Sequence, residues 1–153
     1  MIKVLFVCHG NICRSPMAEF LLKHRLLTGN YRNQYEVASA ATSTEEIGNP
    51  VHPGTRRILN SLGINSSAKR ARQMTKSDYQ YYDYLIAMDL NNLRNMRRIL
   101  GHVDNHKVFR LLDITEHPRD IADPWYTGNF TDTYEDIMEG LDALMEQLEN
   151  GTL

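Results

Sequence analysis

The 153-residue sequence predicts an α/β fold: a four-stranded parallel sheet flanked by helices in a three-layer, Rossmann-like arrangement. Short apolar runs rich in strand-forming residues alternate with segments of helical periodicity along the whole chain. The alternation implies right-handed crossovers and therefore parallel strands. No internal repeat, low-complexity tract or linker interrupts it, so one domain spanning residues 1–153 is expected. A chain of this length buries about two-thirds of its unfolded surface.

The elements follow in order. Residues 2–7 (Ile-Lys-Val-Leu-Phe-Val) form a buried-strand run. Residues 16–28 carry apolar side chains at helical spacing, with Pro16 suited to the first turn and Gly29 as the stop. Tyr35–Ser39 reads as a short second strand. Pro53 opens a helix over Thr55–Leu62 that Gly63 closes, and Thr75 with Asp78 forms a capping pair for another short helix. Tyr84–Met88 is the third strand. Asp89 caps a helix that runs to Leu100 and ends at Gly101. Val108–Leu112 is the fourth strand, a loop holds Asp113 to Phe130, and Thr131 or Asp132 caps a last helix through Leu148. In open parallel sheets, ligands bind outside the carboxyl ends of the strands. Cys8, Ser39, Asp89 and the start of the long loop are all expected there.

Composition narrows the function. A formal charge of −2 argues against general nucleic-acid binding, which usually needs a basic face. No apolar stretch approaches the ~20 residues of a membrane span, and the first apolar run leads into Cys8 rather than a small-residue cleavage site. Two cysteines five apart do not make a disulfide framework, so a reducing, cytoplasmic location is expected.

The chemistry starts at residues 8–15, Cys-His-Gly-Asn-Ile-Cys-Arg-Ser, at the junction of the first strand and first helix. Gly10 and Asn11 tolerate the left-handed backbone of a tight anion loop. Backbone N–H groups of such a loop and the positive end of the helix behind it converge on an anion. Arg14 adds a planar fork for two phosphate oxygens. The same positive surroundings favour the thiolate of Cys8, its nucleophilic form, and Ser15 can donate a hydrogen bond to it. His9, Gly10, Asn11, Ile12, Cys13, Arg14 and Ser15 are thus expected to hold inorganic phosphate, another oxyanion or a phosphoryl group. Displacing an alkoxide or phenoxide from phosphorus also needs an acid. The long loop offers Asp123-Pro124-Trp125-Tyr126, where Trp125 and Tyr126 would wall a pocket beside the carboxyl. Buried against those rings, Asp123 would be protonated when substrate binds.

Residues 7–16 (Val-Cys-His-Gly-Asn-Ile-Cys-Arg-Ser-Pro), taken with Asp123-Pro124, resemble the low-molecular-weight protein tyrosine phosphatases. Ser39–Ser43, Ile47–Pro50, Ala71-Arg72-Gln73 and Met88-Asp89 are similar to further family segments, so the likeness covers nearly the whole chain. It implies a four-stranded parallel sheet, no metal and no cofactor. It implies phosphotyrosine-containing proteins as partners, and a monomer with at most weak dimerisation. Cys8 would be the nucleophile forming a phosphocysteine, Arg14 the phosphate clamp and Asp123 the general acid and base. Asn11 and Ser39 match positions whose polar side chains help hold the loop. The sequence departs from relatives at His9, at Glu45 on the pocket mouth, and at Lys69-Arg70 before Ala71, where the family often has a histidine. An acidic Glu45 would disfavour acidic phosphopeptides.

Rival readings fare less well. Arsenate reduction needs further cysteines as a relay, and only Cys8 and Cys13 exist. A phosphoarginine-hydrolysing branch resembles this loop but has threonine where Ile12 stands, and Ile12 favours a flat phosphoaryl group. A phosphate-binding module without turnover could dispense with Cys8 and Asp123. No Gly-Lys-Ser/Thr loop for nucleotide triphosphates occurs. Cys8, His9 and Cys13 lack a second ligand pair for a metal. His24, His52, His102, His106 and His117 read as surface or loop residues, Tyr79, Tyr81, Tyr82 and Tyr84 as packing around the third strand, and Arg94, Arg97 and Arg98 as a solvated helix face. Cys8 and Cys13 on one tight loop suggest a reversible disulfide that protects the nucleophile.

Overall fold

The computed structural model describes residues 1–31 and 33–153. Its strands are β1 (Ile2–Cys8), β2 (Tyr35–Ala41), β3 (Tyr84–Ala87) and β4 (Val108–Arg110). They form one sheet in the order β2-β1-β3-β4, with every pairing parallel, as the alternating pattern requires. The helices are α1 (Arg14–Thr28), α2 (Pro53–Ser61), α3 (Lys76–Tyr81), α4 (Leu90–Leu100), α5 (Pro124–Thr127) and α6 (Phe130–Asn150).

β1 is central, and its side chains alternate between two cores. Val4, Phe6 and Cys8 pack with Met17 and Leu22 of α1, Leu59 of α2 and Leu141 of α6. Leu5 and Val7 pack on the other side with Met74, Leu93 and Met96. Burial on both faces is why residues 4–7 are uniformly apolar rather than alternating. The period of two places the Cys8 side chain on the α1/α6 side. β2 lies on one flank of β1 and β3 on the other, so the C-terminal end of β1 is the switch point where open α/β sheets hold ligands.

Several boundaries differ from the sequence expectation, each for a tertiary reason. β2 runs to Ala41, not Ser39, because Cys8 pairs in register with Ala41. Ser39 therefore stands two residues inside the strand, fully buried beside Phe6, instead of at its end. β3 ends one residue earlier, at Ala87. α1 begins at Arg14, two residues before Pro16, which still occupies its first turn. α2 begins at Pro53, where His52 Nδ1 accepts the Gly54 N–H at 3.0 Å. β4 stops at Arg110, because the Asp113 carboxylate accepts from the Arg110 backbone N–H at 2.9 Å and its Nε at 2.8 Å. That closes Leu111–Ile114 into a 3₁₀ turn, while Leu111 and Leu112 stay fully buried and so look strand-like in sequence. The long loop also contains α5. α6 starts at Phe130 with Asn129 as cap, accepting the Asp132 N–H at 3.0 Å, so neither Thr131 nor Asp132 caps it. The capping roles of Thr75/Asp78 and Asp89 hold: Asp78 Oδ2 accepts the Thr75 N–H at 2.8 Å and Asp89 Oδ1 the Asn92 N–H at 2.7 Å.

α6 lies against the 3₁₀ turn through Gly140, where an added Cβ would collide with the Leu111 side chain. Leu111 is fully buried, so relief of the contact requires packed core side chains to shift. Gly140→Ala is therefore expected to destabilise the protein by about 1–3 kcal/mol, overriding the ~1 kcal/mol that alanine gains in a helix. Urea unfolding checks this; an unchanged midpoint would show that the contact yields.

Candidate active site

The loop between β1 and α1 wraps around the Cys8 sulfur. Cys8 Sγ accepts the Asn11 backbone N–H at 3.3 Å and lies 3.0 Å from Ser15 Oγ. Asn11 takes the left-handed conformation at φ 59°; Gly10 does not, contrary to expectation. Gly10 is small for a different reason: a Cβ there would meet Glu46 Cγ at 3.2 Å. Asn11 is held in its strained backbone by its side chain. Nδ2 donates to Ser15 Oγ at 2.8 Å and to Ser39 Oγ at 2.9 Å, and Oδ1 accepts the Arg72 N–H at 3.2 Å. Ser39 thus joins the loop-supporting set from inside the sheet, and Ala71-Arg72-Gln73 braces it from outside.

Arg14 is 2 % exposed, so its charge needs partners. Nη1 donates to Asp89 Oδ2 at 2.7 Å and to the Ile121 carbonyl at 2.8 Å; Nη2 donates to Asp123 Oδ2 at 3.3 Å. Burial works against the charge, but the negative groups Cys8, Asp89 and Asp123 outweigh it and hold the guanidinium protonated. Cys13 behaves oppositely to a reactive thiol. Burial first, then the negative charges of Cys8 and Asp123, push it far above the ordinary thiol range. Both cysteines are free thiols.

A cleft of about 110 Å³ opens over the loop. Of the residues expected to bind substrate, Cys8, His9, Gly10, Ile12, Cys13 and Arg14 line it from below. Trp125 and Tyr126 line it from above. Asn11 and Ser15 do not face it; they lie buried beneath, shaping the loop. Asp123 reaches the cleft but is not buried against the rings as expected. Its side chain is 23 % exposed, and Trp125 and Tyr126 project outward, 57 % and 83 % exposed. What fixes the carboxylate is the Trp125 N–H, donating to Oδ1 at 3.0 Å, and Arg14. Glu45 and Glu46 complete the mouth, and His9 Nε2 lies 2.8 Å from Glu45 Oε2, tying the two departures together across the rim.

The sequence reading gave Glu19, Lys69 and His52 no role at the site. Asp89, expected at the ligand-binding end of the sheet, is both a helix cap and an Arg14 partner. Glu19, 3 % exposed on α1, accepts from Ser39 Oγ at 2.5 Å, and Lys69 Nζ lies 3.3 Å from it. His52 is not a plain loop residue: it caps α2 and stacks on Phe130 at 5.0 Å between ring centroids. Elsewhere, Tyr82 is buried while Tyr81 is exposed, its hydroxyl bonded to Glu36, and Arg94, Arg97 and Arg98 are exposed as expected. Among the described residues, no cluster of three His, Cys, Asp or Glu side chains is placed to hold a metal, and no helix is long and apolar enough to cross a membrane.

Residues 3–152 match the family described as low molecular weight phosphotyrosine protein phosphatase. The chain is 39 % identical over 151 residues to the low molecular weight protein-tyrosine-phosphatase YfkJ of Bacillus subtilis, covering 97 % of each. It is 38 % identical over 147 residues to PtpA of Staphylococcus haemolyticus, covering 95 % of this chain and 93 % of the relative. The crystal structure of YfkJ superposes with a TM-score of 0.94, covering 100 % of this chain and 98 % of that one. A Drosophila arginine phosphatase superposes at 0.85 with 28 % identity, covering 96 % and 98 %.

Proposed function

This chain belongs to the low molecular weight phosphotyrosine protein phosphatase family, and on that premise we propose that Cys8, Arg14 and Asp123 carry the hydrolysis of phosphotyrosine in proteins. The observation that supports these roles best is the convergence on one cleft of a sulfur bonded to the Asn11 N–H and the Ser15 hydroxyl, a buried guanidinium and a carboxylate.

The reaction has two steps. In the first, the Cys8 thiolate attacks phosphorus in line, the P–O bond to tyrosine breaks, and Asp123 delivers its proton to the departing phenolate oxygen. In the second, Asp123 takes a proton from water, which attacks the phosphocysteine; the S–P bond breaks and inorganic phosphate and the Cys8 thiolate return. Arg14 and the loop amides hold the equatorial oxygens throughout, in position before charge develops there. The chemistry suits the cytoplasm, where thiols stay reduced.

Phosphoarginine is the second reading that a relative's structure raises, since an arginine phosphatase shares the fold. Ile12 on the cleft floor favours an aromatic group beside the phosphate. Rates on matched phosphotyrosine, phosphoarginine and phosphoserine peptides, with EDTA present, decide between them. Phosphotyrosine is expected to lead by at least an order of magnitude, consistent with rejection of a group that the pocket does not fit. Equal or faster turnover of phosphoarginine would overturn the assignment.

A further inference from the structure

The first turn of α2 touches both halves of the cleft. On one side it is bonded to the end of the phosphate loop. The His52 N–H donates to the Ile12 carbonyl at 2.8 Å, and the buried Thr55 hydroxyl donates to the Cys13 carbonyl at 3.0 Å. On the other side the His52 ring meets the segment that follows Asp123. It stacks on Phe130 at 5.0 Å between ring centroids, with the planes 21° apart. It meets Trp125 nearly perpendicularly, at 5.7 Å and 80°. The ring is braced from behind. Phe130 packs on the core, and Gly54 lets it come close, since a Cβ there would collide with the Phe130 ring. His52 Nδ1 also accepts the Gly54 N–H at 3.0 Å, which fixes the ring's rotation.

Asp123 needs such a support on its downstream side. Upstream, the chain is pinned to the body of the protein. The Ile121 N–H donates to the Met88 carbonyl at 2.9 Å, and the Ala122 carbonyl accepts from Thr133 Oγ1 at 3.3 Å. Downstream, α5 is a single turn that ends at Gly128 in the left-handed region, φ 72°. One turn has too few hydrogen bonds to hold itself. Yet the Trp125 N–H, within that turn, holds Asp123 Oδ1 at 3.0 Å. The Trp125 backbone therefore sets where the carboxyl points, and the His52 ring is what its side chain leans on. We propose that His52 is a positioning residue: it ties the phosphate loop to the acid loop and, through Trp125, holds the Asp123 carboxyl at the cleft. The ring acts as a wedge between the two loops and takes no part in proton transfer. Its backbone registers one loop, its faces register the other, and the relative placement of Cys8 and Asp123 follows.

The proposal rests on Asp123 being the general acid, so one of its two readouts is independent of turnover. Two full-length variants separate the ring from the cap. His52→Asn keeps a side-chain acceptor for the Gly54 N–H and removes the ring. His52→Phe keeps the ring and removes the acceptor. The first readout is kcat/KM on aryl phosphates of graded leaving-group pKa. His52→Asn is expected to lose about tenfold on phosphotyrosine and under about twofold on p-nitrophenyl phosphate, because only poor leaving groups need the misplaced acid. In an Asp123→Ala background the same change is expected to cost nothing further. His52→Phe is expected to keep the wild-type slope. Equal losses on both substrates, a full additional loss in the Asp123→Ala background, or a slope in His52→Phe as steep as in His52→Asn overturns the proposal. Should His52→Asn fail to fold, Phe130→Leu removes the support behind the ring, and an unchanged slope there overturns it as well. The second readout is the local motion of Trp125, the single tryptophan of the chain, by time-resolved fluorescence anisotropy. The fast component is expected to grow in His52→Asn and not in His52→Phe; an unchanged decay in His52→Asn overturns the proposal. Failure of the acid assignment looks different: Asp123→Ala itself would leave the slope unchanged, while the Trp125 decay still responded to His52.

Discussion

Cys8→Ser is expected to abolish turnover of aryl phosphates, by on the order of 10⁴-fold or more, while phosphate still binds. The serine hydroxyl is close in size and occupies the same end of β1, so the loop keeps its shape. A serine alkoxide, however, is far less accessible near neutral pH than a thiolate. The Asn11 N–H that donates to the sulfur at 3.3 Å and the Ser15 hydroxyl 3.0 Å from it remain in place around the smaller oxygen. Turnover of p-nitrophenyl phosphate, beside phosphate binding by calorimetry, measures both halves. Residual turnover within tenfold of wild type would remove Cys8 from the nucleophile's role. Loss of phosphate binding together with activity would mean that the substitution broke the loop, and phosphate protection of the wild-type thiol against alkylation would then carry the test.

The second large effect is at Asp123. Asp123→Ala is expected to slow substrates with poor leaving groups, phosphotyrosine among them, by about 10²–10⁴-fold, the usual contribution of a positioned acid. Activated esters, whose leaving oxygen needs little help, should lose much less. The separation between the two classes is the diagnostic quantity, measured as the slope of log kcat/KM against leaving-group pKa, which should steepen in the variant. Equal losses on both classes would take the acid's role away from Asp123. They would leave it only as an Arg14 partner, a role it shares with Asp89.

The anion loop was legible because it is local. Cys8 through Pro16 carries its own turn residues, clamp and helix start within nine positions, and geometry follows from spacing. Asp123 was legible as a residue type in a context, but its surroundings were not. The rings beside it point outward, and a buried arginine holds it instead, a contact that spans 109 positions of chain. Glu19 and Lys69 share that difficulty. Each reads in isolation as an ordinary helix-surface acid or loop lysine, and meets Ser39 behind the loop only when β1 and β2 are paired. The fourth strand shows the converse. Leu111 and Leu112 are as buried as any strand residue, and only the Asp113 carboxylate on the Arg110 backbone turns them into a 3₁₀ turn. Burial is written in the sequence more plainly than backbone pairing.

The left-handed turn at Asn11 has a consequence for how the protein behaves as product accumulates. Three side-chain bonds, to Ser15, Ser39 and the Arg72 amide, hold that turn within the chain itself. A cradle that stands ready loses little order on meeting its ligand, and every tetrahedral oxyanion of the right size gains from that alike. Free phosphate released at the end of each cycle therefore competes for the same seat as the next phosphoprotein. Its steady concentration in the surroundings raises the apparent KM, so below saturation the rate is expected to fall as ambient phosphate rises, while the maximal rate is unchanged.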